Sequence, residues 1–173
     1  MPVLLRVRPR RIRVRPSTFK ALAQKLLKTV GESRAELSVE LVGDRRMRGL
    51  NRRYRGRDYS TDVLAFPMRR APRVNRLGLS RKALGGSASR SMPDAVRPSM
   101  IGDVVISLPT AERQAARRGR SVDHEVATLL IHGVLHLCGY DHERGEKEAR
   151  RMRRKERAVW KALQPIPKLI ARR

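Results

Sequence analysis

The chain has 173 residues, enough for one domain with a true core. Lysine and arginine number 41 against 16 aspartates and glutamates, a formal net charge of +25, and such an excess calls for a polyanionic partner, nucleic acid by default. No apolar stretch is long enough to span a bilayer, Met1 to Pro16 mixes apolar residues with arginine and proline and reads neither as a secretory leader nor as a transit helix, and a lone cysteine excludes an internal disulfide, which fits a cytoplasmic location.

Val3 to Val14 alternates apolar and basic residues and predicts an opening strand. Ser17-Thr18 looks like a helix start, and Leu22, Leu26 and Leu27 mark the buried face of a helix reaching about Val30. Ala35 to Val42 alternates cleanly, as a strand with one wet face does. Gly43-Asp44 leads into a short helix carrying Met47, Leu50 and Tyr54. Asp62 to Phe66 predicts a short strand stopped by Pro67, and Ile101 to Leu108 another, centred on Val104-Val105-Ile106. Pro109 to Arg118 reads as a helix, Asp123 to Cys138 as a strongly apolar one, and Gly145 to Leu163 as an amphipathic one with Ala149, Met152, Val159 and Leu163 inward.

Residues 69–99 break this pattern. They are rich in arginine, serine, glycine, proline and alanine and show little periodicity, so a basic, flexible insertion between two strands is expected. Two readings of it stay open, an inert loop or an arm that grips RNA phosphates. Residues 164–173 are expected to form a basic tail. With only three tyrosines, two phenylalanines and one tryptophan, base reading on an aromatic sheet is not expected; recognition should be mostly of phosphates and shape.

Three of the four histidines fall within His132-Gly133-Val134-Leu135-His136-Leu137-Cys138-Gly139-Tyr140-Asp141-His142. Residues four apart on a helix project from one face, so His132 and His136 can bind one ion together. Gly139 is a natural helix stop, after which the chain can return His142 as a third ligand. Three imidazoles with an open fourth position are the layout of a catalytic zinc site rather than a closed structural one. The partial negative charge of the helix C-terminus also favours a cation there. The alternative is a set of core histidines hydrogen-bonded to backbone. His124, eight residues before His132, is expected at the surface or at a helix start, and Cys138 as a small core residue.

A zinc ion held by three histidines lowers the pKa of bound water from ~15.7 to roughly 7 and can polarise a phosphoryl or carbonyl oxygen. In the H-E-x-x-H proteases a glutamate follows the first histidine as general base. Here that position is Gly133, which counts against a protease. Glu125 lies two turns before His132 and is expected near the ligands or on the surface rather than as a base. The charge favours a phosphodiester. Asn51-Arg52-Arg53-Tyr54-Arg55-Gly56-Arg57-Asp58 concentrates guanidinium groups that can hold phosphate in bidentate geometry, and charge and spacing alone do not choose among them.

Four blocks in order resemble the YbeY family, bacterial and organellar endoribonucleases of ribosomal RNA maturation. They are Leu50-Asn51 with Tyr54-Arg55, Thr61-Asp62-Val63-Leu64-Ala65-Phe66-Pro67, Ile101-Gly102-Asp103-Val104-Val105-Ile106-Ser107, and His132 through His142. The resemblance implies an α+β fold, a single domain over residues 1–173 with a small central mixed β-sheet packed by helices. It implies one zinc ion on His132, His136 and His142, and it picks out Arg55 as the cleft arginine. It further implies metal-dependent cleavage of single-stranded RNA, acting in 3′-end maturation of small-subunit ribosomal RNA and in ribosome quality control, with ribosomal RNA and ribosomal particles as partners and no membrane. Two departures stand out: the stretch between Pro67 and Ile101 is long and basic where the family usually has a shorter, acidic one, and the overall charge is far more positive. Ala65 stands where serine is common. The competing readings are a ribosome-assembly factor with a structural metal and, behind it, a metalloprotease.

Overall fold

The computed structural model describes residues 3–8, 12–68 and 100–171; the expected insertion at 69–99 lies outside them. Four strands form a mixed sheet in the order β1 (Val3–Val7), β3 (Glu36–Val42), β5 (Met100–Ser107), β4 (Val63–Pro67). The pairs β1–β3 and β3–β5 are parallel, and β4 runs antiparallel to β5 along one edge. A separate antiparallel ribbon joins β2 (Arg13–Val14) to β6 (Ile170–Ala171). The helices are α1 (Pro16–Val30), α2 (Asp44–Arg55), α3 (Leu108–Arg117), α4 (Val122–Leu137) and α5 (Glu146–Leu163). The expected α+β architecture with a small mixed sheet is what the chain adopts.

The alternation in β3 sorts its residues by face. Leu37, Val39 and Leu41 are buried in the main core with Val104 and Ile106 of β5, while Ser38 and Glu40 sit half-buried on the other face. The main core also takes Phe19, Leu26 and Leu27 from α1, Leu130 and Val134 from α4, and Met152 and Val159 from α5. On the opposite face a smaller cluster of Val42, Met47, Leu64 and Val105 lies beneath α2, with Leu50 and Phe66 against it.

The opening strand expected over Val3 to Val14 is two strands. Only the first joins the main sheet; the second pairs with the C-terminal segment. Within that segment, expected as a basic tail, Leu169 is fully buried. Asp123 at the start of α4 accepts hydrogen bonds from the backbone N–H groups of Leu169 (2.6 Å) and Ile170 (2.7 Å). One carboxylate thus satisfies two backbone donors and ties the C-terminal segment to α4.

Asp44 ties α2 to the strand ends. Its Oδ1 accepts from Ser107 Oγ (2.6 Å), Thr110 Oγ1 (2.8 Å) and Ser60 Oγ (3.2 Å), and its Oδ2 pairs with Arg113 at 2.7 Å. Burial works against the charge, but the hydrogen bonds from Arg113, Ser107 and Thr110 outweigh it and hold the carboxyl well below the usual carboxylate range. A lowered folded-state pKa gives stability that is present above the unfolded value of about 3.9 and is lost as pH falls through the folded one. Asp44→Asn is therefore expected to lower unfolding free energy at pH 7 by about 1–3 kcal/mol. Urea melts at stepped pH check this, and the gap between the two proteins should close in acid.

A three-histidine cleft beside the edge strand

The site begins with α4. Ser121 caps it, its side chain accepting from His124 N at 3.1 Å, and Asp123 and Glu125 in the first turn complement the helix dipole. Nearly every following residue is buried, so the helix runs through the core. It stops at Gly139, whose φ of 88° is the left-handed conformation glycine adopts at low cost. Gly139 N donates to His136 O and Tyr140 N to Leu135 O, both at 3.0 Å, and close the helix end. Asp141 then accepts from Glu143 N (2.9 Å) and Arg144 Nε (3.0 Å), which pins the turn carrying His142.

The result is the predicted convergence. One ligand atom from each of His132, His136 and His142 lies within 4.8 Å of the others. The Nε2 atoms of His132 and His136 are 3.0 Å apart. Two imidazoles bound to one zinc at ~2.0–2.1 Å in tetrahedral geometry bring their nitrogens to about 3.3 Å, so the trio fits an ion with small adjustments.

The other ring nitrogens strengthen the fit. His132 Nδ1 contacts Glu156 Oε1 at 2.7 Å, and His136 hydrogen-bonds to the backbone of Tyr140. With Nδ1–H donated to the carboxylate, His132 turns a lone pair into the shared space, as a metal ligand must. Burial, and then the neighbouring His132 and His142, lower the pKa of His136 and keep it neutral. Neutral imidazole is the form that ligates.

Glu156 was not among the expected site residues, yet it had a signal. It continues the inward stripe of α5 through Ala149, Met152 and Val159, where the pattern calls for an apolar residue. Glu156→Gln and Glu156→Ala are expected to weaken zinc affinity by about 10–100-fold, Ala more than Gln. Competition against a chromogenic chelator reads this directly.

The three histidines open into a cleft of about 550 Å³, with Arg55 among its lining residues. Alternation along β4 builds one wall: Val63, Ala65 and Pro67 face the cleft, while Leu64 and Phe66 belong to the cluster under α2. Arg55, in the last turn of α2, is exposed. Asp62 also lines the cleft, but its carboxylate is taken by Thr61 Oγ1, Val63 N and Gln114 Nε2.

The other expected positions separate cleanly. His124 is at the start of α4, its ring 4.2 Å from that of Trp160, and takes no part in the trio. Cys138 packs at the edge of the core. Glu125 is neither at the ligands nor on the surface: it is fully buried and paired with Arg118 at 2.5 Å.

Gly133 has a steric reason. A Cβ there would stand 2.7 Å from Val104 Cγ1 and 3.1 Å from Cγ2, because the helix presses directly on β5. A protease-type glutamate has no room at this position. Gly133→Ala is expected to destabilise the protein by about 1–3 kcal/mol, overpacking outweighing the ~1 kcal/mol gain in helix propensity, as thermal and urea melts would show.

A model of the family described as Endoribonuclease YbeY matches residues 6–164. The chain belongs to the YbeY family. Curated relatives of that name include one from Aquifex aeolicus, 38% identical over 91% of this chain and 88% of its own length, and one from Geobacter metallireducens, 37% identical over 95% and 97%. A third, from an Anaeromyxobacter species, is 42% identical over 88% of this chain, and the match spans 64% of that longer relative. The solution structure of TM1509 from Thermotoga maritima superposes with a TM-score of 0.59 over 94% of this chain and 89% of the other, at 22% identity, a likeness of fold. The match covers the end of β1, the other three strands of the sheet, the histidine helix and all of α5, so the cleft lies wholly inside it.

Proposed function

We propose that the protein is a zinc-dependent endoribonuclease that cuts single-stranded RNA, acting in 3′-end maturation of small-subunit ribosomal RNA and in ribosome quality control. The observation that carries the reading is the convergence of three imidazoles beside an exposed arginine in one open cleft, in a chain of the YbeY family.

His132, His136 and His142 would hold the metal. Histidine ligands suit several transition metals, and a three-histidine set with one open position matches catalytic zinc. A zinc ion bound there supplies Lewis acidity at neutral pH, activating water and polarising a phosphoryl oxygen. The protein's own groups do the rest. Glu156 holds His132 in the tautomer and orientation needed for ligation. Arg55 clamps the phosphate in bidentate fashion and offsets the charge that grows on its oxygens as the phosphorus becomes five-coordinate. The wall of Val63, Ala65 and Pro67 borders the scissile group with apolar surface and limits water on that side. The net charge of +25 draws the RNA in and makes affinity strongly salt-dependent.

This work is placed in the cytoplasm, with ribosomal RNA and ribosomal particles as partners. Among the described residues no helix is long and apolar enough to cross a membrane. The test is cleavage of a ribosomal RNA 3′-end fragment presented unstructured, and again annealed to a complementary strand. The proposal predicts zinc-restored cutting of the free strand and protection by the duplex. Equal cutting of both forms would contradict the strand preference, and no cutting by the zinc-loaded protein would leave the assembly-factor reading in its place.

A further inference from the structure

A second basic groove lies on α2, away from the histidines. Arg8, Arg45, Arg46 and Arg53 surround a space of about 630 Å³ that also borders Gly49. Gly49 is inside the helix, three or four residues from each of the α2 arginines, so the three side chains flank it on one helical face. A Cβ at Gly49 would meet nothing within 4 Å. Packing therefore gives no reason for glycine, which costs an exposed helix about 1 kcal/mol relative to alanine.

Arg45 and Arg53 lie eight residues apart, about 12 Å along the helix, with the bare Gly49 backbone between them. Arg8 is paired with Glu40, while no salt bridge among the described residues engages Arg45, Arg46 or Arg53. Local costs that the fold does not explain mark functional positions. Here the glycine is explained by one occupant, a chain of phosphates approaching the backbone at Gly49 with guanidinium groups around it.

Gly49 and Arg55 are six residues apart on α2, about 9 Å along the axis and about 120° apart around it, so a strand held at both passes around the helix. Tyr54, the residue before Arg55, is 57% exposed, with the Arg53 guanidinium 5.5 Å from its ring centroid and Phe66 edge-on at 4.9 Å. Exposed aromatic faces next to arginine are what single-stranded RNA uses for base stacking.

We propose that the Gly49 groove is a distal phosphate subsite, which holds single-stranded RNA several nucleotides from the bond cut in the cleft. The inference rests on the nuclease reading for its geometry. Its test reads binding, so the two can fail separately.

The decisive variant is Gly49→Glu. Glutamate is a better helix former than glycine and would sit between Arg45 and Arg53, so the fold should hold or gain stability. Anisotropy would be measured with a fluorescent single-stranded RNA of about 12 nucleotides, in the Arg55→Ala background so that the probe survives. Gly49→Glu should weaken binding roughly tenfold and reduce the slope of log affinity against log salt by about one to two. Arg45→Ser with Arg46→Ser and Arg53→Ser should act alike, at ~0.7 of slope per lost phosphate contact. In the wild-type background, cleavage of an RNA of about two nucleotides, too short to reach from cleft to groove, should be unchanged. Affinity and salt slope equal to those of the parent in both variants would overturn the subsite, even if the protein cuts RNA. Weakened binding in a protein that cuts no RNA would keep the subsite and remove the nuclease reading.

Discussion

Alanine in place of His136 is expected to remove metal binding and RNA cleavage together. His136 is the middle ligand of the trio, its Nε2 3.0 Å from that of His132, on a helix whose neighbouring residues are core. Its loss leaves two imidazoles that no longer define a closed face for one ion. A catalytic metal contributes several kcal/mol of transition-state stabilisation, so cleavage should fall about a thousandfold or more. Zinc content by atomic absorption and single-turnover rates on one preparation measure both losses. The wild-type protein stripped with a chelator should behave like the variant, and only the wild type should recover when zinc returns. Acid should reproduce the loss, because ligation needs neutral imidazoles; burial and then its two histidine neighbours lower the His136 pKa and so delay its protonation to lower pH.

Alanine in place of Arg55 should separate what the first substitution joins. The side chain is exposed and lines the cleft without contributing a ligand atom, so zinc content and melting temperature should match wild type. The rate should still drop by about 100- to 1000-fold, the scale on which a single charge-stabilising donor contributes. Arg55→Lys should recover only part of it, since an ammonium keeps the charge but cannot make the two-pronged contact. A full rate in Arg55→Ala would move phosphate binding to another cleft cation, such as Arg144.

Much of the site is local, and local features are legible in a sequence. The four-residue spacing of His132 and His136 follows from helix geometry, and a glycine at position 139 foretells the turn that returns His142. The strands over Asp62 to Phe66 and Ile101 to Leu108 show in their β-branched runs, and their bounds shift by a residue or so in the structure. What was not legible depends on partners far along the chain. The inward stripe of α5 marks Glu156 as turned toward the core, but not that it meets His132, 24 residues away. Glu125 looks solvated by type but is fully buried on Arg118. The division of the opening strand is set by pairing of Val14 with Ile170 at the other end of the chain. A pattern of apolar residues says which face turns inward; it does not say which polar group meets which.

The groove around Gly49 shows the complementary case. Its residues are all visible in the sequence, but only Arg53 belongs to the guanidinium run of residues 51–58, and nothing there joins Arg8, Arg45 and Arg46 to it. Only the structure shows that a Cβ at position 49 would meet empty space.

The central claim is that one metal ion on the histidine trio cuts RNA. The most direct measurement is single-turnover cleavage of an unstructured ribosomal RNA fragment by chelator-stripped protein as zinc is added back in fractions of an equivalent, with His132→Ala run in parallel. The account predicts a linear rise that saturates at one zinc per chain in the wild type, and no rise in His132→Ala. Cleavage by the stripped wild type as fast as by the loaded one, or equal cleavage by His132→Ala, would contradict it.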